Sequence, residues 1–169
     1  ILDLGCGDCR HIPATLEISR IKSYTGVDIS STALSDALEN IGDSIPKLNL
    51  IEDDFVSAIR LFEDNSFNLV IAGYSAHHLF YENKQEFFDH CFRVLEDGGC
   101  FVHYDVQRLK NENREQYLKR YYGIIDTWEK LNFEDKLFIK EHITESDFPS
   151  SAEEINLMIK ESGFLRSSG

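Results

Sequence analysis

The chain has 169 residues, enough for one domain with a substantial core and too few to argue for two. With 42% hydrophobic and 28% charged residues it sits in the ordinary globular range, which excludes a disordered chain. Thirty acidic residues against 17 Lys and Arg give a net charge of −13, which repels a phosphate backbone and argues against a bulk nucleic-acid partner.

The densest basic stretch, "RLKNENREQYLKR" from Arg108 to Arg120, is broken by acids and makes no continuous patch. No apolar run approaches the roughly 20 residues of a bilayer span, so no membrane segment and a cytoplasmic location are expected. Cys6, Cys9, Cys91 and Cys100 are too few and too uneven for a disulfide framework, which fits a reducing compartment. The chain opens inside what reads as a strand, so further residues before Ile1 are expected.

In chain order, short β-rich runs alternate with helical patterns, the sign of a parallel sheet covered by helices on both faces. Strands are expected at "ILDL", "YTGVDI", "LNLI", "FNLVIAG" and "CFVHYDV". Helices are expected over about 11–20, 31–41, 55–61 and 83–95, with Ser30 or Ser31 capping the second and the glycines of "EDGG" ending the fourth. After Val106 an apolar helical face runs through Tyr117, Tyr121, Ile124, Ile125, Trp128 and Leu131. It marks an insertion over about 106–149, closed by a polar loop, "EHITESDFPS". A last helix then starts at Ser151, which forms a capping box with Glu154.

The opening "ILDLGCGDCRH" admits several chemistries. A dinucleotide fingerprint from Gly5 and Gly7 fails at Arg10, where a third glycine is needed for close helix packing. Cys6 and Cys9 have thiol-redox spacing, and a Cys at a helix N-terminus has a depressed pKa, but the flanking aromatic and the proline-preceded strand of such folds are missing. A zinc site of cysteines lacks its second pair, and no metal is assigned. The remaining reading starts from Asp28 in "GVDIS", about twenty residues past the glycine loop. In a doubly wound sheet both features reach the carboxyl edge, where a carboxylate can take two ribose hydroxyls, so a nucleoside is implied.

At these residues the sequence resembles the class I S-adenosylmethionine-dependent methyltransferases. "ILDLGCGDCR" is similar to their first motif, with Asp3 as its acidic residue, Gly5, Cys6 and Gly7 in the loop, and Cys9 where a third glycine is usual. "GVDIS" resembles the second, which implies Asp28 on the ribose and Ile29 against the adenine. "IEDDF" resembles the third, with Asp54, or else Asp53, at the adenine amino group and Phe55 beside the ring. "FNLVIAGYSAHHL" and "RVLEDGGCFVHYDV" are similar to the fourth motif and the fifth strand.

The resemblance implies a Rossmann-like, doubly wound α/β fold in a single domain spanning 1–169, with the 106–149 insertion as an acceptor-site lid. The family's last two strands are absent or barely begun at "GFLRSSG". S-adenosylmethionine is the implied cofactor, with Ala72 or Gly73 offering a carbonyl to its amino group. The acceptor is expected to be a small molecule, because "GYSA" at Tyr74 lacks the Pro-Pro-Tyr clamp of adenine- and glutamine-directed relatives. His78, His103 and Tyr104 are the candidate catalytic residues, with His77 behind them, since an acceptor must lose a proton near neutral pH. Tyr117, Tyr121, Tyr122 and Trp128 line an acceptor pocket or simply pack a helix. Two alternatives stay open: an inactive, methyltransferase-like nucleoside-binding module or partner subunit, and a Cys-x-x-Cys redox protein.

Overall fold

The computed structural model describes residues 1–164, so "LRSSG" at 165–169, and with it most of the expected "GFLRSSG" ending, lies outside the described residues. The chain separates into two compact units. One comprises Ile1–Ser75 and Glu86–Tyr104, the other Ala76–Gln85 and the residues from Asp105 onward.

The first unit is built on five strands: β1 (Leu2–Leu4), β2 (Ser23–Asp28), β3 (Lys47–Glu52), β4 (Phe67–Gly73) and β5 (Leu95–Tyr104). All pair in parallel in the order β3-β2-β1-β4-β5, the doubly wound arrangement expected from the sequence. The order reverses at β1, which pairs with β2 on one side and β4 on the other, so the carboxyl end of β1 is the switch point where a crevice opens. All three residues of β1 are buried, as are Val27, Val70 and Ala72, because a parallel strand covered on both faces has no solvent side.

Helices α1 (Ile12–Thr15), α2 (Ser31–Ile41) and α3 (Phe55–Ile59) connect these strands. Ser30, not Ser31, caps α2: its side chain accepts from the Ala33 amide at 3.2 Å. α2 packs Ala37 and Ile41 into a cluster with Cys9, Ile12, Ile21, Tyr24 and Ile45. α4 (Tyr81–Arg93) buries Phe87, Phe88 and Cys91, with Phe87 edge-on to Phe55 at 5.4 Å.

Two local expectations are corrected in this unit. The helix expected over 11–20 has only four residues: Pro13 lies in its first turn and Leu16 turns extended at φ −118°, ψ 144°. The "EDGG" glycines do not end a helix. They bulge out at the start of β5, where the register jumps from Phe67↔Leu95 to Leu69↔Cys100 and Gly98 takes φ +79°.

In the second unit α5 (Arg114–Asp126), α6 (Phe133–Ser146) and α7 (Ala152–Glu161) follow one another. Tyr117 and Ile125 of α5 pack with Ile143 of α6, joined by Tyr121 and Tyr122, so much of the aromatic face serves helix packing. Trp128 and Leu131 lie beyond the end of α5. The expected loop over 141–150 is helical as far as Ser146, because Asn132 caps α6 by accepting from Asp135 N at 2.9 Å, starting a helix whose polar residues face solvent. The capping box of Ser151 and Glu154 is present as expected.

Gly26 has no room for a side chain: a Cβ there would lie 2.8 Å from Cys6 Sγ and 3.0 Å from Leu50 Cδ2. Gly26→Ala is therefore expected to cost roughly 1–3 kcal/mol by overpacking and to lower the melting temperature by several degrees. A thermal melt unchanged from the parent would refute that tight packing.

Candidate functional site at the carboxyl edge of the sheet

After β1 the chain reverses through a loop hung on the next strand. The amides of Gly5 and Cys6 both donate to Val27 O, at 2.8 and 3.1 Å. Gly5 has φ +75°, and a Cβ on it would strike Ser75 Cβ at 2.9 Å, so only glycine fits. Gly7 has φ +54° and open space where its Cβ would be, which leaves bare backbone for a ligand to approach.

Cys9 stands where a third glycine is usual, and its φ of +54° keeps a glycine's left-handed geometry. That conformation costs an L-residue roughly 1–2 kcal/mol. Burial of the side chain beside Ile12, Ala37 and Ile41, and a 3.3 Å contact between Sγ and Tyr24 OH, offset it.

Asp3, only 5% exposed, accepts from Tyr24 O–H at 2.5 Å, so Asp3, Tyr24 and Cys9 form a buried polar chain behind the loop. Burial raises the Asp3 carboxyl from 3.8 to about 6, against the lowering effect of the Tyr24 bond, and the Asp28 charge adds to the rise. The redox alternative expects a depressed thiol at Cys6, whereas the lowered one is Cys9, held down first by its hydrogen bond with Cys6. A hydrogen bond with Cys9, then burial, push Cys6 far above the ordinary thiol value, and α1 begins six residues further on, at Ile12.

Asp28 ends β2 and is held at both oxygens. Gly7 N donates to Oδ2 at 2.8 Å and Ser30 N donates to Oδ1 at 2.9 Å. Each carboxylate oxygen accepts more than one bond, so both retain capacity for further donors. Beside it Ile29 is 72% exposed, an apolar side chain left at the edge. Asp53 N donates to Asp28 O at 3.1 Å, which ties the end of β3 to this point. Asp54 caps α3 through Oδ1, accepting from Ser57 N at 2.9 Å, and Phe55 is half-buried against Phe87.

At the end of β4, Ala72 is buried and its carbonyl accepts from His103 Nδ1 at 3.0 Å. His103 stacks on Phe101 and meets the edge of Phe88, so its ring lies in an aromatic niche of β5 and α4. The Tyr104 ring covers Gly73 so closely that a Cβ would come within 2.2 Å of it. Tyr104 also meets Tyr74 edge-on at 5.4 Å and is half exposed. Burial, Asp3 and Tyr74 raise the Tyr104 pKa, so its phenol is neutral at pH 7 and can donate. The cavity of about 440 Å³ lined by Ile1, Leu16, Arg20, Ser23 and Asn68 lies at the opposite, amino end of the strands, away from these groups.

The second unit carries its own polar cluster. His77 is buried, with Nδ1 at 2.5 Å from Asp105 Oδ1, its backbone N donating to Asp105 Oδ2 at 2.9 Å, and Nε2 at 3.6 Å from Asp147 Oδ1. His78 is exposed and places Nδ1 3.0 Å from Ser146 O; burial of part of the ring, then neighbouring His77, lower its pKa. Asp105 and Asp147 have no place among the sequence candidates. Separations of 28 and 70 residues from His77 leave no local pattern to find them by.

A family model described as a methyltransferase domain matches residues 1–99. Over 125 residues the chain is 26% identical to the phosphoethanolamine N-methyltransferase of Plasmodium falciparum (isolate 3D7), a match covering 72% of this chain and 44% of that protein. The chain thus spans under half the length of that curated relative. Among solved structures, the YcgJ protein of Bacillus subtilis gives a TM-score of 0.66 at 19% identity, over 95% of this chain and 59% of that one. The cyclopropane synthase MmaA2 of Mycobacterium tuberculosis gives 0.66 at 16%, over 99% and 55%. A SAM-dependent methyltransferase of Archaeoglobus fulgidus gives 0.66 at 16%, over 96% and 59%.

The raised Asp3 pKa makes a stability prediction. The unfolded carboxyl ionises near 3.8 and the folded one near 6, so stability is full below about 4 and is lost as pH rises to about 6. At 1.36 kcal/mol per pH unit the loss is roughly 3 kcal/mol. Asp3→Asn keeps an acceptor for Tyr24 and is expected to remove most of it, read as a smaller change in unfolding free energy between pH 4 and pH 7 in urea titrations.

Proposed function

We infer the activity from what the chain is: it belongs to the class I S-adenosylmethionine-dependent methyltransferases, whose domain model matches more than half its length. S-adenosylmethionine is that family's cofactor. We propose that this protein transfers its methyl group to a small molecule. The observation carrying this reading is Asp28, a carboxylate fixed by Gly7 N and Ser30 N at the switch point, next to an exposed Ile29. An anion held by backbone amides there suits two ribose hydroxyls, and the exposed side chain suits a base.

The other parts of the edge fit the same ligand. Open space at Gly7 lets a ligand approach backbone, Asp54 Oδ2 lies outside the cap bond and can take an amino group, and Gly73 can offer its carbonyl. A cationic ligand also suits the buried Asp3 carboxylate better than bulk solvent does. The cofactor brings a methyl carbon already activated by a sulfonium, so the protein mainly has to hold geometry and handle a proton.

Of the candidate catalytic residues, His103 is held by the Ala72 carbonyl, and the neutral Tyr104 phenol donates and orients. His78, with Nδ1 committed to Ser146 O, keeps the Nε2 lone pair and is the proposed proton acceptor. The small-molecule acceptor is supported by the net charge of −13, which disfavours nucleic acid, and by the acceptor in the name of the Plasmodium relative. The inactive-module alternative rests on the missing third glycine and on the family's final strands, which fall on the ending outside the described residues. On the first point, Cys9 adopts that glycine's backbone conformation.

Calorimetry tests the cofactor site. Asp28→Ala is expected to weaken binding of S-adenosylmethionine and of its demethylated product by about 10–100-fold, the loss of roughly 1.5–3 kcal/mol of charge-assisted hydrogen bonding. Unchanged affinity would show that the pocket is misassigned. Tyr104→Phe is expected to leave cofactor affinity within about 3-fold and to lower kcat by at least about 10-fold with a small amine, phosphoethanolamine included, as acceptor. Equal kcat for variant and parent would remove Tyr104 from the reaction.

A further inference from the structure

We propose that His77, His78 and Asp147 form a binding site for one divalent first-row transition-metal ion, with zinc as the representative ion. One ligand atom from each residue falls within 4.8 Å of the others, and two imidazoles with one carboxylate are a donor set that zinc takes readily. His77 Nε2 and Asp147 Oδ1, 3.6 Å apart, need to close only by tenths of an ångström to share an ion at about 2.0–2.2 Å from each.

Proximity alone would be weak; the outer partners carry the inference. His77 Nδ1 faces Asp105 Oδ1 at 2.5 Å, His78 Nδ1 faces the Ser146 carbonyl at 3.0 Å, and Asp147 Oδ2 accepts from Tyr117 O–H at 3.2 Å. Each candidate ligand therefore has the second bond that fixes a tautomer or a carboxylate orientation in metal sites, and both imidazoles are left with their lone pair on Nε2. Arg114 Nε donates to Asp147 O at 2.7 Å and holds the backbone from which that carboxylate projects.

The charge balance points the same way. Two buried carboxylates, Asp105 and Asp147, converge on one buried imidazole. Buried anions call for a cation close by. The Asp105 charge acts on nearby Lys84, whose Nζ donates to Phe148 O and Ser150 Oγ, while Arg114 donates to the Asp147 and Thr144 carbonyls. His78 is exposed and gives the ion its way in, and the ring of His142 lies next to it, 6.1 Å away between centroids. A bound ion would join the turn at Ala76–His78 to the end of α6, and it would take the Nε2 lone pair that His78 otherwise offers to a proton.

The test uses the full chain, stripped with a chelator and then titrated with zinc, and with cobalt as a spectroscopic probe, in the absence of cofactor and acceptor. It therefore succeeds or fails independently of methyl transfer. The expected result is one ion per chain, a raised melting temperature, and visible cobalt absorption of a low-coordinate nitrogen and oxygen site. Tyr117→Phe should weaken affinity by about 10–100-fold, as loss of an outer partner does, and His78→Gln and Asp147→Asn should weaken it further. Because His78 is exposed, His78→Gln should fold even if Asp147→Asn does not. No stoichiometric binding, or binding that survives His78→Gln because the ion sits elsewhere, such as at the exposed Cys100, would overturn the proposal.

Discussion

Across 21 residues of chain, Gly7 N donates to Asp28 Oδ2 while Ser30 N donates to the other oxygen of the same carboxylate. This pair of bonds fixes the glycine loop after β1 to the end of β2 and the start of α2. The bonds can form only because β1 and β2 pair in parallel with Leu4 beside Val27, which brings both strand ends to one edge. The Gly5 and Cys6 amides are satisfied by Val27 O at the same place, so the loop has few unspent donors and keeps one shape. A rigid edge of this kind holds exposed Ile29 and open Gly7 in fixed positions.

Behind that edge lies a cost that the structure carries. Asp3 is buried with Tyr24 as its partner, and its raised pKa means that the folded protein is strained by ionising it near neutral pH. Cys9 carries a second strain in its left-handed backbone, compensated by its contact with Tyr24 and by packing in the α2 cluster. Both sit at the switch point of the sheet, in keeping with the tendency of backbone and electrostatic strain to collect where ligands bind.

Most of the first unit was legible in the sequence because its signals are local. Apolar β-rich runs announced all five strands, Ser30 or Ser31 was the expected cap of α2 and Ser30 supplies it, and the spacing from Gly5 to Asp28 put both at one edge of the sheet. The misses have local causes as well. Pro13 and Leu16 cut α1 short, and the "EDGG" glycines, which look like a helix stop, were needed for a bulge at the entry to β5. In the second unit α6 was concealed because its polar residues carry no apolar rhythm, while its start depends on the side chain of Asn132.

The sequence by itself determined the parallel α/β class, through its periodicity, and pointed to the family, through the resemblance of its ordered motifs, the glycine loop and Asp28 among them. Only the tertiary structure decided that Cys9 takes a glycine's conformation, that Tyr104 lies over Gly73, and that His77 stands between Asp105 and Asp147. Those relations depend on strand register and on the packing of residues up to 70 positions apart. No spacing along a chain encodes such convergence until the core has closed around it.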